Sequence, residues 1–426
     1  MAEQTLSAKD LKKLEAYLLR TLSNQIESDP PPAARYREKL ESWLEQAFAS
    51  TKTELPEEQR QKLFDEVLGE LVGYGPIQPL LDDPTISEVM VNGPDLVFVE
   101  RDGELIETDV KFDDDDHVLR IINRMIHPLG RRVDSDHPSA DARLPDGSRV
   151  NVIIPPVAHK GSCITVRKFV ENKLTMEDII GLGTLTPHMS EFLQACVVAR
   201  LNVLISGNTS SGKTTMLNVM TDFIPGGERI VTIEDAAELR LKQRHVISLE
   251  TKQPNMDGKG GMGTRELVRN TLRMRPDRIV VGEVRSGEAL DMLQSMNTGH
   301  DGSMTTLHAN SPRDAIARLE TMAMMAGLDM PLLAIRKQIA SAINLIVHMA
   351  RLPDGTRKMA RITEVAGMEG EVVTLSDIFK FEQESVDKNG MIVGKLMPTG
   401  IRPVFTPKLE VAGYNLGGDI FGAGLY

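Results

Sequence analysis

A phosphate-binding loop is the strongest chemical signal in the sequence. Residues 207–214 read Gly-Asn-Thr-Ser-Ser-Gly-Lys-Thr and match the pattern Gly-x-x-x-x-Gly-Lys-Ser/Thr at every fixed position. Its glycines let backbone N–H groups turn inward around phosphates, and the helix that follows adds its positive dipole end. Lys213 is expected to reach the β- and γ-phosphates of ATP, and the Thr214 hydroxyl to ligate Mg²⁺. The predicted nucleotide-binding residues are Gly207, Asn208, Thr209, Ser210, Ser211, Gly212, Lys213, Thr214 and Thr215.

Two carboxylates downstream of this loop end apolar runs. Glu234 closes the run Arg229–Glu234, and Glu283 directly follows Arg278–Gly282. Ligands of open α/β sheets bind beyond the carboxyl ends of the strands, and a P-loop enzyme needs carboxylates for its metal ion and its attacking water. Both residues are therefore candidates for the site. The alternative for each is a carboxylate that caps the next helix.

Two histidines, His300 and His308, share a segment rich in glycine, serine and threonine. A zinc site is not predicted because no further ligand lies nearby in the sequence. Two interpretations stay open at this point. The histidines are neutral imidazoles that sense phosphate or relay between subunits, or they are buried core residues with ordinary hydrogen bonds.

The elements that must position these residues alternate between apolar runs and helical stretches over about 176–365. The runs at Asn202–Ser206, Arg229–Glu234 and Arg278–Gly282 are continuous, which is typical of parallel strands buried on both faces. Later, the turn sequence Pro353–Thr356 separates two β-rich runs and predicts a hairpin. This region is therefore expected to be an α/β domain.

The rest of the chain shows three other patterns. Amphipathic spacing over 6–28, 33–50 and 56–72 predicts a helical module, and short β-rich runs over 86–170 predict a small α+β domain. The glycine-rich tail after about residue 370 is expected to be irregular. The predicted domains are 1–72, 73–173 and 174–426.

The bulk composition narrows the class of protein. The 426 residues carry a net charge of −12 and only 4% aromatic residues, which argues against a dedicated nucleic-acid binder. The two cysteines, Cys163 and Cys196, form no CxxC pair. Neither a signal peptide nor an apolar stretch long enough to span a membrane is recognised, so a cytoplasmic protein without a membrane span is expected.

The order of these segments resembles the bacterial secretion ATPases, the superfamily that drives type II and type IV secretion and pilus assembly. In that family the segments are the Walker A motif, an aspartate box (here Glu234-Asp235), an atypical Walker B motif ending in Gly282-Glu283, and a histidine box with His300 and His308. The histidine spacing is similar to that of the CpaF-type tight-adherence (Flp) pilus ATPases and the type IV secretion ATPases. The runs GYGPI at 73–77 and ISEVMVNG at 86–93 also resemble the CpaF type. Two cysteines cannot form the tetracysteine zinc insert of many type II relatives.

This resemblance implies a fold and an activity. The fold would be a RecA-like P-loop ATPase domain preceded by a PAS-like α+β domain and a helical module, with a hinge at about 171–186. Six chains would form a ring that binds ATP and Mg²⁺ between the two domains. Hydrolysis would drive an inner-membrane platform protein that extends or retracts a pilus, placing the ring at the membrane through its partners. Glu234 would position water and Glu283 would hold Mg²⁺, although the sequence leaves open which carboxylate does which.

The resemblance also implies arginines from the N-terminal domain at the γ-phosphate. The basic candidates are Arg131, Arg132, Arg143 and Arg149, of which Arg143 and Arg149 are the predicted pair. Three alternatives to the pilus motor stay open: a type IV secretion traffic ATPase, a DNA-translocating RecA-like motor, and a nucleotide-sensing scaffold without turnover.

Overall fold

A computed structural model describes residues 8–28, 36–101, 103–169, 174–252, 254 and 258–422. The chain divides into two units, Met1–Asn172 and Lys173–Tyr426. Within the first unit, the helices and the α+β part bury separate apolar clusters. The predicted division into three domains stays a prediction.

Three helices open the first unit. They are α1 (Ala8–Ser28), α2 (Tyr36–Ser50) and α3 (Glu57–Val72), within a few residues of the predicted bounds. Their apolar faces meet in one cluster in which Leu18 and Leu44 are fully buried. The predicted proline break at 29–32 lies outside the described residues.

An antiparallel sheet forms the rest of the first unit, in the strand order β3-β2-β1-β6-β5-β4. Its strands are β1 (Ile86–Asn92), β2 (Val97–Arg101), β3 (Glu104–Glu107), β4 (Ser139–Arg143), β5 (Arg149–Ile153) and β6 (Cys163–Arg167), and its helices are α4 (Gln78–Asp82) and α5 (Asp115–Ile126). The side chain of Asp114 caps α5 by accepting a hydrogen bond from the backbone N–H of His117. Alternate residues of the strands pack with Ile121 and Ile122 of α5, so one face of the sheet is core and the other is open.

A nine-stranded sheet organises the second unit, in the order β15-β14-β13-β12-β7-β11-β10-β8-β9. The six strands from β12 to β9 run parallel. The strands are β7 (Val203–Gly207), β8 (Ile230–Glu234), β9 (Val246–Glu250), β10 (Arg278–Val281), β11 (Met304–His308), β12 (Leu345–Arg351), β13 (Arg357–Glu369), β14 (Val372–Val386) and β15 (Ile392–Pro398). The helices are α6 (Met176–Gly181), α7 (Pro187–Val198), α8 (Lys213–Thr221), α9 (Thr264–Thr271), α10 (Glu288–Asn297), α11 (Pro312–Met324), α12 (Leu332–Ala342) and α13 (Thr406–Val411).

Both faces of the parallel sheet are buried, as the continuous apolar runs predict. Val203 and Ile205 of β7 join one apolar cluster, while Leu204 between them joins the cluster on the other face. Every residue of β7, β8 and β10 is buried. The buried sheet therefore holds the loops that follow the carboxyl ends of its parallel strands in fixed positions.

The prediction of an irregular tail after residue 370 is wrong. Strands β14 and β15 extend the sheet by antiparallel pairing beyond β13. Their glycines mark turns rather than irregular chain, since Gly370 and Gly390 have φ values of +60° and +79°. Of the predicted hinge at 171–186, residues 171–173 lie outside the described residues, and α6 begins at Met176 behind a capping box on Thr175.

Candidate active site

The predicted phosphate loop connects the carboxyl end of β7 to the amino end of α8. Gly207 has a φ of +154°, and a Cβ there would collide with the carbonyl oxygen of Met349. Gly212 has a φ of +92°, where a side chain would be strained. The ammonium of Lys213 donates to the carbonyl of Asn208 at 2.9 Å, so the loop already curves around a buried positive charge. That arrangement suits a phosphate, whose oxygens accept from the same group.

His308 and Glu283 lie next to this lysine. His308 ends β11 and pairs in register with Gly207, so the adjoining strand delivers its imidazole to the loop. Nδ1 of His308 lies 3.3 Å from Nζ of Lys213, and Nε2 lies 3.1 Å from Oε1 of Glu283. Burial, followed by the charge of Lys213, lowers the pKa of His308 and favours the neutral imidazole. Burial also lowers the pKa of Lys213, although the Glu283 carboxylate opposes this effect.

Arg285 completes this row of charges and was not predicted as a site residue. Its guanidinium donates to Oε2 of Glu283 at 2.7 Å and lies 3.3 Å from Oδ2 of Asp235. The hydrogen bond to Glu283 is the main reason that the pKa of Arg285 is raised. The sequence signal was its place two residues after Glu283, but spacing alone does not show that the side chain turns back toward the carboxylate.

Glu234 lies at the same edge, at the end of β8. Its Oε1 accepts hydrogen bonds from the backbone N–H groups of Glu238 and Leu239 at 2.9 and 3.0 Å, while Oε2 is buried without a hydrogen-bond partner. Burial raises the pKa of Glu234 to about 7. A Cβ on Gly282 would lie 2.9 Å from Cγ of Glu234, so the missing side chain lets Glu234 pack under the segment that carries Glu283. A carboxyl group that titrates near neutrality is suited to general acid–base work.

The donor set at this edge is compatible with Mg²⁺. The ion prefers oxygen ligands, and it is usually held by one or two carboxylates together with substrate phosphates. Thr214 offers a hydroxyl at the start of α8, and Glu283 offers a carboxylate whose Oε1 is buried without a hydrogen bond. Over the described part of the chain, no group of three or more His, Cys, Asp or Glu side chains is arranged to hold a metal ion. Mg²⁺ does not require such a group when phosphates complete its coordination.

A cavity of about 510 Å³ adjoins the phosphate loop on its α11 side. It has the size of a small-ligand site. The lining residues are Asn208, Thr209, His308, Ala309, Asn310, Asp314, Ala317, Arg318 and Thr321. The α11 residues Asp314 and Arg318 were not predicted for the site, because only the fold brings α11 beside the loop.

His300 is not brought to the phosphate loop with His308. It precedes β11, whereas His308 ends it, so the length of the strand separates the two histidines. Nδ1 of His300 lies 3.2 Å from the carbonyl oxygen of Ser295 at the end of α10. Beside it, Gly302 has a φ of +84°, and a Cβ there would collide with the buried guanidinium of Arg278. A catalytic role for His300 stays a prediction.

The predicted arginines lie in the first unit, on its antiparallel sheet. Arg143, Arg149 and Arg167 are directly opposite one another on β4, β5 and β6, on the open face of the sheet. Arg143 donates to the carbonyl of Gly147 at 3.2 Å. Nε of Arg167 lies 3.5 Å from Oε1 of Glu88 on β1, so a carboxylate of the same sheet already meets one end of this row. The register that places Arg167 beside Arg149 cannot be read from the sequence.

The other two basic candidates, Arg131 and Arg132, follow α5 rather than lying on the sheet. Nε of Arg132 lies 3.1 Å from Oδ2 of Asp134. The backbone N–H of Arg131 donates to the carbonyl of Ile126, which helps to close the end of α5. The choice of Arg143 and Arg149 over these two stays a prediction.

Known proteins resemble this chain over most of its length. A Mycobacterium tuberculosis protein named for conjugal transfer is 37% identical over 309 residues, which cover 71% of this chain and 87% of the relative. The type IV secretion system protein VirB11 of Brucella suis is 30% identical over 318 residues, covering 68% of this chain and 88% of VirB11. The crystal structure of the pilus retraction motor PilT with bound ADP has a TM-score of 0.50 at 22% identity, over 65% of this chain and 78% of PilT. The expected α/β fold, with a RecA-like domain after a PAS-like domain, is confirmed.

A family model also matches this chain. The family described as "Type II/IV secretion system protein" matches residues 70–384, which include the phosphate loop, both carboxylates and both histidines. None of the helices in the described ranges is long and apolar enough to cross a membrane. The chain belongs to the Type II/IV secretion system protein family.

Proposed function

We propose that this chain hydrolyses ATP and uses the energy to drive a pilus-assembly or secretion machine. The observation that carries the proposal is the contact series Lys213–His308–Glu283 at the mouth of the phosphate loop. Three neighbouring parallel strands, β7, β11 and β10, lead into these side chains. Such an arrangement serves a polyphosphate, because amides, an ammonium and a metal-binding carboxylate converge on one point.

Each residue at this site has its own role in the proposed hydrolysis. The loop amides and Lys213 hold the phosphates, and Lys213 exchanges its bond to Asn208 for phosphate oxygens. Thr214 and Glu283 would hold Mg²⁺, which when bound would neutralise charge at the phosphates. Glu234, with one unpaired oxygen and a pKa of about 7, accepts a proton from the attacking water. His308 stays neutral, with its Nε2 3.1 Å from the Glu283 carboxylate.

We further propose that Arg143 and Arg149 of the first unit serve the γ-phosphate. Arg143 and Arg149 are adjacent on neighbouring strands, and each places a permanent positive charge on the open face of the sheet. An arginine that stabilises the transferring phosphoryl group contributes roughly 10³–10⁵-fold in rate in related NTPases. Six chains form the working ring, and a membrane platform protein receives the motion.

Two kinds of machine are compatible with this ATPase, a tight-adherence pilus and a type IV secretion system. The segments at 73–77 and 86–93 favour a CpaF-type motor of a tight-adherence pilus. The relatives named for conjugal transfer and type IV secretion favour a secretion traffic ATPase equally well. Light scattering with and without a nonhydrolysable ATP analogue tests the ring, since a strict monomer under both conditions contradicts it.

The test of the activity is phosphate release from ATP in the presence of Mg²⁺. Lys213→Ala should abolish turnover, and Glu283→Gln should reduce it to a small fraction. A matched control is Lys242→Ala, because Lys242 belongs to the same unit but pairs with Asp222 at 2.6 Å on the surface. Full turnover in Lys213→Ala contradicts the assignment. Turnover that rises only with added DNA indicates a DNA-translocating motor, and the absence of turnover in the unchanged protein indicates a nucleotide-sensing scaffold.

A further inference from the structure

A buried histidine outside the family's motifs contacts the residue that precedes the phosphate loop. His348 lies on β12, with 7% of its surface exposed, and pairs in register with Ser206, the residue before Gly207. Nδ1 of His348 is 2.9 Å from the fully buried hydroxyl of Ser206. The imidazole also makes a hydrogen bond to the backbone of Asn310, two residues after His308.

These contacts define the protonation state of the ring. Burial, followed by the charge of Arg361, lowers the pKa of His348 to about 4, so the imidazole is neutral at physiological pH. A neutral imidazole has one donor and one acceptor. The Ser206 hydroxyl donates to Nδ1, which leaves Nε2–H to donate to the backbone carbonyl of Asn310. The ring is thereby satisfied on both sides.

Met349, the residue after His348, shows that β12 lies directly against the phosphate loop. Met349 pairs in register with Gly207, and a Cβ on Gly207 would collide with its carbonyl oxygen. The backbone of β12 is therefore in direct contact with the first residue of the loop. A small shift of this strand or of the segment after β11 would move groups that meet the phosphates.

We propose that His348 is a positioning residue for ATP hydrolysis, which holds the end of β7 and the segment His308–Asn310 in fixed relation. The inference rests on the proposed ATPase function. His348 touches no phosphate itself and acts through His308, whose imidazole must stay between Lys213 and Glu283. Its loss should therefore affect turnover more than nucleotide affinity, since the loop amides and Lys213 remain.

The experiment compares two substitutions of His348. His348→Leu leaves the buried Ser206 hydroxyl without this partner, and it should lower kcat about tenfold to hundredfold, the scale of a misplacement near 1 Å. The dissociation constant for a fluorescent nonhydrolysable ATP analogue should change by less than about threefold, as expected if binding groups are untouched. His348→Gln, whose amide offers both a donor and an acceptor, should restore most of the lost kcat.

A third variant controls for lost stability. Thr363→Val removes a hydrogen bond of 2.7 Å between a buried hydroxyl on the next strand, β13, and Asp377. Thermal unfolding of all variants should show similar losses for Thr363→Val and His348→Leu, with kcat lowered only in the latter.

Four results would overturn the positioning role. They are an unchanged kcat in His348→Leu, equal losses in His348→Leu and His348→Gln, an equal loss of kcat in Thr363→Val, and an affinity that falls as far as kcat does. An unchanged protein without turnover overturns the proposed function together with this inference. An active unchanged protein with an unaffected His348→Leu variant overturns the inference alone.

Discussion

Replacing Glu234 by glutamine should stabilise the protein above neutral pH while it removes turnover. The carboxyl group is 4% exposed, and burial raises its pKa from the ordinary value of 4.5 to about 7. Since the folded-state pKa is above the unfolded one, the favourable contribution is complete below pH 4.5 and is lost as the pH rises through 7. Each pKa unit corresponds to about 1.4 kcal/mol, so ionising this group costs the folded state about 3 kcal/mol at pH 8.

The assay is thermal unfolding of the nucleotide-free protein between pH 5 and pH 8.5. Glutamine cannot ionise, and its Oε1 can still accept from the N–H groups of Glu238 and Leu239. The Tm of Glu234→Gln should exceed that of the unchanged protein by only about 2 °C at pH 5 and by on the order of 5–10 °C at pH 8. Glu238→Gln is the matched control, because Glu238 is four residues away and exposed. A Tm difference that is independent of pH, or equally large in the control, refutes the reasoning.

Two further predictions concern the arginines and a glycine. Arg143→Ala and Arg149→Ala should each lower kcat by about 10³-fold with little change in nucleotide affinity. Arg101→Ala should leave kcat unchanged, because the Arg101 side chain pairs with a surface aspartate of the same unit. Steady-state hydrolysis measures these effects, and an unchanged kcat in both Arg143→Ala and Arg149→Ala contradicts the prediction. Gly302→Ala should lower the free energy of unfolding by about 3 kcal/mol or more, because left-handed strain adds to a collision with a buried guanidinium. At Gly299 φ is also positive, but an added Cβ would meet open space, so Gly299→Ala should lower the free energy of unfolding by only about 1 kcal/mol. Urea unfolding measures both glycine variants, and equal losses would show that the collision at Gly302 is relieved.

Local patterns predicted much of the second unit. The phosphate loop, the strands before Glu234 and Glu283, and the hairpin after β12 follow from contiguous residues whose apolar runs and turns carry their own signal. The helices of the first unit were likewise predicted from periodicity. In each case, residues close in the sequence decide the element, so no knowledge of distant contacts is required.

Features that depend on distant contacts were not predictable. The strands β14 and β15 exist because β13 offers a pairing edge, and half-exposed strands lack a continuous apolar run. The histidine segment did not reveal that β11 runs between His300 and His308, which places these two residues at opposite ends of that strand. The titration of Glu234 near neutrality results from its burial beneath Gly282, which only the three-dimensional packing creates.

The central claim is that one Mg-nucleotide binds each chain at the phosphate loop. Isothermal titration calorimetry with Mg²⁺ and a nonhydrolysable ATP analogue measures this directly. The expected result is about one site per chain in the unchanged protein and in Lys242→Ala, and no measurable binding in Lys213→Ala. Equal binding by Lys213→Ala, or no binding by the unchanged protein, would contradict it.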